Sequence, residues 1–261
     1  MLNVKKKLIG QVLLEKGLIT NNQLEQALNY QRNNPNKRIG EVLVELGYIT
    51  YQDLAKALAE SALRNTKLLE NLGFYNIVIS AKASDVLRTI EVYEILSKET
   101  DYPLHLGVTE AGGKLIGAIK SSIALGYLLK EGIGDTIRIS LSSDPVEEVK
   151  VAFEILKNLE LRKEGVQIVS CPTCSRTKID VISISKEIEN FTKNIKQPLK
   201  IAILGCVVNG LGEGREADLA VVGVGKNLAL FMRNGKIIKK IKANKIIDLL
   251  KEEINNLIKK F

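Results

Sequence analysis

The chain has no tryptophan, one histidine and three cysteines among 261 residues, and aromatic residues make up 5% of it. So few rings offer little to stack on bases, and with no recognised binding motif a nucleic-acid partner is not expected. No apolar run approaches the roughly 18 residues that span a bilayer, so the sequence reads as a cytoplasmic protein without membrane association. The opening MLNVKKKLIG is charged and then amphipathic rather than a signal peptide. An odd cysteine count suits a reducing compartment, and disulfides are not expected. The one histidine, His105 in PLHLG, is read as structural rather than as a base.

The three cysteines that are present carry the strongest signal. Cys171 and Cys174 form a CxxC pair in SCPTCSR, and Cys206 follows in GCVVNGLGEG with Glu213 seven residues on. Three thiols and one hard oxygen donor predict an iron–sulfur cluster whose fourth ligand is a carboxylate in place of the usual thiolate. A Gly-rich turn through Asn209, Gly210 and Gly212 is expected to bring Glu213 to the same centre. A carboxylate exchanges more readily than a thiolate, which leaves Lewis acidity available to a substrate oxygen. The same spacing also admits a zinc knuckle, a redox dithiol or simply buried cysteines.

The stretches ALAESALR, VISAKASDV, PLHLGVTEAGG, EGIGDTIRISLSSDPVEEV, SCPTCSR and GCVVNGLGEG follow one another over roughly 200 residues. In that order and spacing they resemble 4-hydroxy-3-methylbut-2-enyl diphosphate synthase, the iron–sulfur enzyme family of the non-mevalonate isoprenoid pathway. The resemblance implies a [4Fe–4S] cluster on Cys171, Cys174, Cys206 and Glu213, with Asn209 beside it in the active site. It implies reductive ring opening of 2-C-methyl-D-erythritol 2,4-cyclodiphosphate, flavodoxin or ferredoxin as electron donor, and a homodimer in which one subunit's cluster domain closes over the other's barrel. Where the family reads GPGEA, this chain has Gly210-Leu211-Gly212-Glu213-Gly214, losing a rigid proline and gaining a glycine. The family's barrel has eight strand–helix units, and the resemblance covers only the second half.

Strand and helix patterns beyond residue 70 fit that half. Apolar strands are expected at 76–80, 104–108, 136–141 and 166–169, with helices at 85–99, 117–131 and 145–159. These are four βα units of an α/β fold. Active sites of such folds lie at the C-terminal strand ends, where Lys82, Glu110, Arg138 and Ser140 stand. The resemblance assigns them to the substrate: Lys82 and Arg138 to the diphosphate, the arginine gripping two oxygens, Ser140 as a further donor, and Glu110 to a hydroxyl or proton. On the residues alone each can equally be a rim ion pair or a cap. A small α/β domain should follow, with strands at 200–204 and 219–222, a hairpin of 228–232 and 236–241 about Arg233-Asn234-Gly235, and a closing helix at 246–260.

The first residues are different. IGQVLLEKGLITNNQLEQAL at 9–28 returns as IGEVLVELGYITYQDLAKAL at 39–58, an offset of 30. Each copy reads as a helix hairpin whose second helix is N-capped by Thr20 or Thr50, and two copies can bury their leucines together. This repeat resembles the N-terminal domain of type II secretion and type IV pilus assembly ATPases, some of which bind cyclic di-GMP. Only the second copy has an Arg-hydrophobic-Gly entry, Arg38-Ile39-Gly40, against Lys7-Leu8-Ile9-Gly10 in the first, and no Walker motif follows. No Gly, Pro or Ser-rich linker separates repeat from enzyme-like part, so one helix should cross the join.

The expected domains are therefore a helical repeat at 1–58, a half barrel at 59–170 and a cluster-binding α/β domain at 171–261. Of the net charge of +8, residues 233–261 carry +6, from nine basic and three acidic residues. That basic segment can steer an acidic electron carrier or be a solvated face. Three functional readings follow: an enzyme of the synthase family, a catalytically incomplete cluster-binding fragment, and a regulatory fusion whose repeat binds a cyclic dinucleotide or a partner protein.

Overall fold

The computed structural model describes residues 8–259, so Lys7 of the first repeat copy, and Lys260 and Phe261 beyond the closing helix, lie outside the described residues. The chain forms two compact units, Met1–Arg162 and Lys163–Phe261.

In the first unit, α1 (Ile9–Glu15) and α2 (Asn21–Asn33) make one copy of the repeat, and α3 (Ile39–Glu45) and α4 (Tyr51–Glu70) the other. The threonine caps form in both. The Thr20 and Thr50 hydroxyls accept the N–H groups of Gln23 (3.3 Å) and Asp53 (3.1 Å), whose side chains accept the threonine N–H in return. Gly17 and Gly47 then turn the chain at φ of +68° and +71°, where only glycine escapes the Cβ penalty. Leu13, Leu43 and Leu54, each at most 2% exposed, anchor the shared core; full burial of a leucine stabilises by about 2 kcal/mol.

Helix α4 runs unbroken across the join, as the absence of a linker predicts. Its Leu54 and Ala57 belong to the repeat core, while Ala55 and Ala59 belong to the next one, with Val92, Tyr93 and Leu96. One helix thus serves both.

That next core lies under α5 (Val86–Glu99), α6 (Lys114–Lys130) and α7 (Pro145–Asn158), which pack around a short parallel ladder. β1 (His105–Leu106) pairs with β2 (Thr136–Ile137), and Ile79 bridges Leu104. This is a partial barrel, and no closed barrel forms among the described residues. The strands expected at 76–80, 104–108 and 136–141 shrink to that bridge and two short strands. Pro103 has no N–H to contribute, and the Ile77 N–H turns back to the Tyr75 carbonyl at 2.9 Å instead of crossing to a neighbour. Parallel contacts nevertheless continue past the strands: Ala83 and Leu106 carbonyls accept the N–H groups of Thr109 and Arg138, each at 2.9 Å. The Tyr93 hydroxyl, on α5, donates to the His105 carbonyl (2.5 Å) and accepts the Ala81 N–H (3.0 Å), fixing the strand ends.

The second unit is a five-stranded sheet. β3 (Val166–Ser170), β4 (Leu199–Leu204) and β5 (Leu219–Gly225) run parallel, then β6 (Leu228–Arg233) and β7 (Lys236–Lys242) continue antiparallel in that order. β3 is the strand expected to be the fourth of the half barrel. It forms where expected but pairs with β4, and it falls in the second unit although the boundary was placed at residue 170. α8 (Val181–Thr192) and α10 (Ile246–Ile258) cover one face, through Ile184, Ile188, Leu250 and Ile254; α9 (Val207–Arg215) covers the other over Leu204, Ala220 and Val222. Asn234 and Gly235, both with positive φ, make the tight β6–β7 turn. No described helix is long and apolar enough to cross a membrane.

Candidate functional site

The cysteines sit where two parallel strands end together. Ser170 of β3 pairs with Ile203 of β4, so Cys171 and Gly205-Cys206 leave the sheet side by side. The Cys171 Sγ accepts the Gly205 N–H at 3.0 Å. The loop that follows wraps the same glycine: the Lys178 N–H donates to the Gly205 carbonyl at 2.8 Å, and a Cβ on Gly205 would stand 3.0 Å from Thr177 Cγ2. The Thr177 hydroxyl accepts the Cys174 N–H at 3.0 Å and lies 3.9 Å from its Sγ. Cys206, next in sequence, is the N-cap residue of α9. The three cysteines, whose thiols are free, thus all stand near Gly205: Cys171 through its sulfur, Cys206 as the next residue, and Cys174 through Thr177. The Cys174 thiol is held below its ordinary pKa, chiefly by the Arg176 backbone N–H, then by the Thr177 hydroxyl and, less, by the Arg176 charge. The thiolate is the metal-binding form.

The segment expected as a Gly-rich turn is instead helix α9. Gly210 and Gly214, one turn apart, face the sheet: a Cβ on Gly210 would collide with Val222 Cγ1, and one on Gly214 would stand 2.9 Å from Met232 Sδ. These glycines permit close packing and do not bend the chain. Asn209 and Glu213, four residues apart, share an exposed side of α9. At ~1.5 Å rise per residue, Glu213 lies about 10 Å along the axis from Cys206, two turns on and on the same side of the helix. Among the described residues no group of three or more His, Cys, Asp or Glu side chains is arranged to hold one metal ion. A cluster of several irons makes a different demand, for thiolates spread around a larger body. Three cysteines near one glycine suit it, at a helix N-terminus that stabilises nearby negative charge by about 0.3–1 kcal/mol, as does a carboxylate on the same side of that helix.

In the first unit the strand ends bring cations together. A Cβ on Gly107 would stand 2.7 Å from the Arg138 carbonyl oxygen and 3.1 Å from Lys82 Cε, so the bare glycine lets these two approach. Burial pushes the Lys82 pKa down, and the Arg138 charge pushes it further. His105 is likewise depressed by burial, then by Lys82 and Arg138, while its Nδ1 shares a hydrogen bond with Thr136 Oγ1 at 2.8 Å. Cations that depress one another mark a place that gains from an anion. Ser140, half-buried, follows Arg138 by two residues.

Glu110 has a different partner. At φ +53° it takes a left-handed backbone rare for a side-chain-bearing residue, and its carboxylate accepts the Arg38 guanidinium at 2.7 Å. Arg38 belongs to the helical repeat, just before α3, and sequence reasoning marked it only as part of a possible nucleotide-binding entry. A second tie lies deeper: Arg88, 7% exposed, pairs with Glu41 of α3 at 3.2 Å and lies over the Tyr51 ring. The second repeat copy is thereby docked at the rim.

Residues 38–153 match the GcpE TIM-barrel domain, and residues 167–256 match the GcpE protein C-terminal domain. The chain belongs to the GcpE family. The first GcpE match begins at Arg38 and takes in Lys82, Glu110, Arg138 and Ser140; the second takes in all three cysteines and Glu213. Curated GcpE relatives carry the name 4-hydroxy-3-methylbut-2-en-1-yl diphosphate synthase (flavodoxin). That of Desulfotalea psychrophila is 52% identical over 201 residues, covering 77% of this chain and 55% of that protein. That of Caldanaerobacter subterraneus subsp. tengcongensis is 54% identical over 203 residues, 78% and 57%. That of Clostridium perfringens is 56% identical over 194 residues, 74% and 55%. The chain spans about half the length of the curated relatives it matches. The expected fold class, a partial barrel with a sheet-containing C-terminal unit, agrees with this membership.

Proposed function

We propose that the chain is an iron–sulfur oxidoreductase performing the reaction named for its GcpE relatives, the reductive opening of 2-C-methyl-D-erythritol 2,4-cyclodiphosphate to 4-hydroxy-3-methylbut-2-enyl diphosphate. Flavodoxin or ferredoxin would supply the electrons, and the working form would be a homodimer. The observation that carries this reading is the gathering of Cys171, Cys174 and Cys206 about Gly205, beside a helix that bears Asn209 and Glu213.

Those cysteines and Glu213 would hold a [4Fe–4S] cluster, which when bound supplies electrons singly together with Lewis acidity. Two electrons and two protons enter the overall reaction and one water leaves. The chain's own side chains do the rest. Lys82 and Arg138, crowded together at the strand ends, take the diphosphate, the guanidinium binding two oxygens. Ser140 donates one more hydrogen bond. Glu110 holds the proton needed where a substrate oxygen departs as water, once Arg38 has released its carboxylate. Asn209, on the exposed side of α9, orients the substrate.

The test is anaerobic turnover of the cyclic diphosphate by the cluster-reconstituted full chain, with dithionite as reductant. Product formed by the wild type and lost in Cys174→Ser supports the reading. A cluster spectrum without product favours a second one, a cluster-binding chain lacking a working substrate site. The two-residue strands β1 and β2 of the partial barrel are the observation on its side.

A further inference from the structure

β7 is the outer strand of its sheet, bonded to β6 alone. Its sequence, KIIKKIK, places four lysines around Ile237 and Ile238, each 55% exposed. Register sorts these side chains by face. Lys240 pairs with Leu230 and Ile237 with Met232, both in the core beneath α9, and Lys242 shares their side opposite Leu228. Ile241 pairs with Ala229 and packs into the opposite core, whose face Lys239 shares opposite Phe231. Ile237, Lys240 and Lys242 therefore lie on the α9 side of the sheet, the side covered by the helix that starts at Cys206. At the far end of β7, Lys242 and Lys226 line a cleft of about 460 Å³.

Lysine on an edge strand has a general use, since it discourages pairing with another chain. Exposed isoleucines work against that use. An apolar centre rimmed by lysines, none ion-paired among the described residues, is the complement of an acidic protein surface, for which charge steering raises association rates by roughly 10–1000-fold. Seven residues at ~3.4 Å each make a strip about 24 Å long, on the scale of the small interfaces used in transient redox encounters.

We propose that the α9 side of β7, with Ile237 at its centre and Lys240, Lys242 and Lys226 at its rim, docks an acidic electron-carrier protein. The proposal rests on the reading above, that such a carrier reduces the chain. Binding is read directly: the full chain is titrated into an acidic flavodoxin while flavin fluorescence is followed, at low and at physiological salt. K240E/K242E should weaken binding by about tenfold and flatten its salt dependence. K236E/K239E changes charge equally on the other side and should weaken it by less than about threefold. Equal weakening by both pairs, or by neither, overturns the proposal. So does Lys240- and Lys242-dependent binding to anionic vesicles or to a single-stranded oligonucleotide where flavodoxin does not bind. Dithionite-driven turnover of the wild type judges the functional reading separately, so a failure of docking is not mistaken for a failure of catalysis.

Discussion

His105 reports on the cation cluster with a single proton. Burial, then Lys82 and Arg138, hold its pKa below the ordinary 6.5, so protonation favours the unfolded chain. Its effect on stability is absent above about 6.5 and appears as loss when the pH falls below that value toward the folded pKa. An anion settling between Lys82 and Arg138 reverses the electrostatic part of the depression. We expect the His105 ring signals, followed by NMR across pH 4 to 8, to titrate at higher pH when pyrophosphate is added; titration that ignores pyrophosphate would mean the cations do not form an anion site. At this scale the sequence was informative about residue types: Lys82, Arg138 and the three cysteines stand in motifs that a reader can find. Arg38 was not legible as a rim residue, because its partner Glu110 lies 72 positions away and nothing local announces the pairing. That pair is exposed at both ends, 51% and 68%, and by itself contributes no more than about 1 kcal/mol.

Helix α9 is the element on which the sequence reading and the structure part. Glycines in GCVVNGLGEG suggest a turn, yet of the three inside the helix Gly210 and Gly214 face the sheet and Gly212 does not. Gly210→Ala drives a Cβ into Val222 and should cost about 1–3 kcal/mol. Gly212→Ala meets nothing within 4 Å and should stabilise the helix by about 0.5–1 kcal/mol. Urea unfolding of the two variants separates the cases, since a flexible loop would treat them alike. Other elements were readable because their signals are local: the threonine caps of α2 and α4, the Asn-Gly hairpin, and the unbroken α4. α8 was overlooked although its cues are present, with Asp180 accepting the Ser183 N–H at 3.1 Å and Val181, Ile184 and Ile188 at helical spacing. The short strands near 79, 105 and 136 could not be measured out in advance, because strand length depends on which neighbour supplies the ladder.

For the molecule as a whole, alternation of strands and helices correctly indicated an α/β fold, but alternation cannot say to which sheet a strand belongs. β3 satisfied the count of four barrel strands while pairing with β4, and that pairing is what puts Cys171 beside Gly205 and Cys206. The strand misassigned from sequence is thus the one that assembles the cysteine site. The charge excess of residues 233–261 was plain in the composition; that part of it lies on the α9 side of β7 emerged only from the register. The central claim, that three cysteines gathered around one glycine hold a cluster, is tested most directly by counting metal and sulfide. After anaerobic reconstitution of the full chain, with Cys206→Ser alongside, we expect about four irons and four inorganic sulfides per wild-type chain and none retained by the variant. One tightly bound zinc without sulfide, or iron that Cys206→Ser keeps, would contradict it.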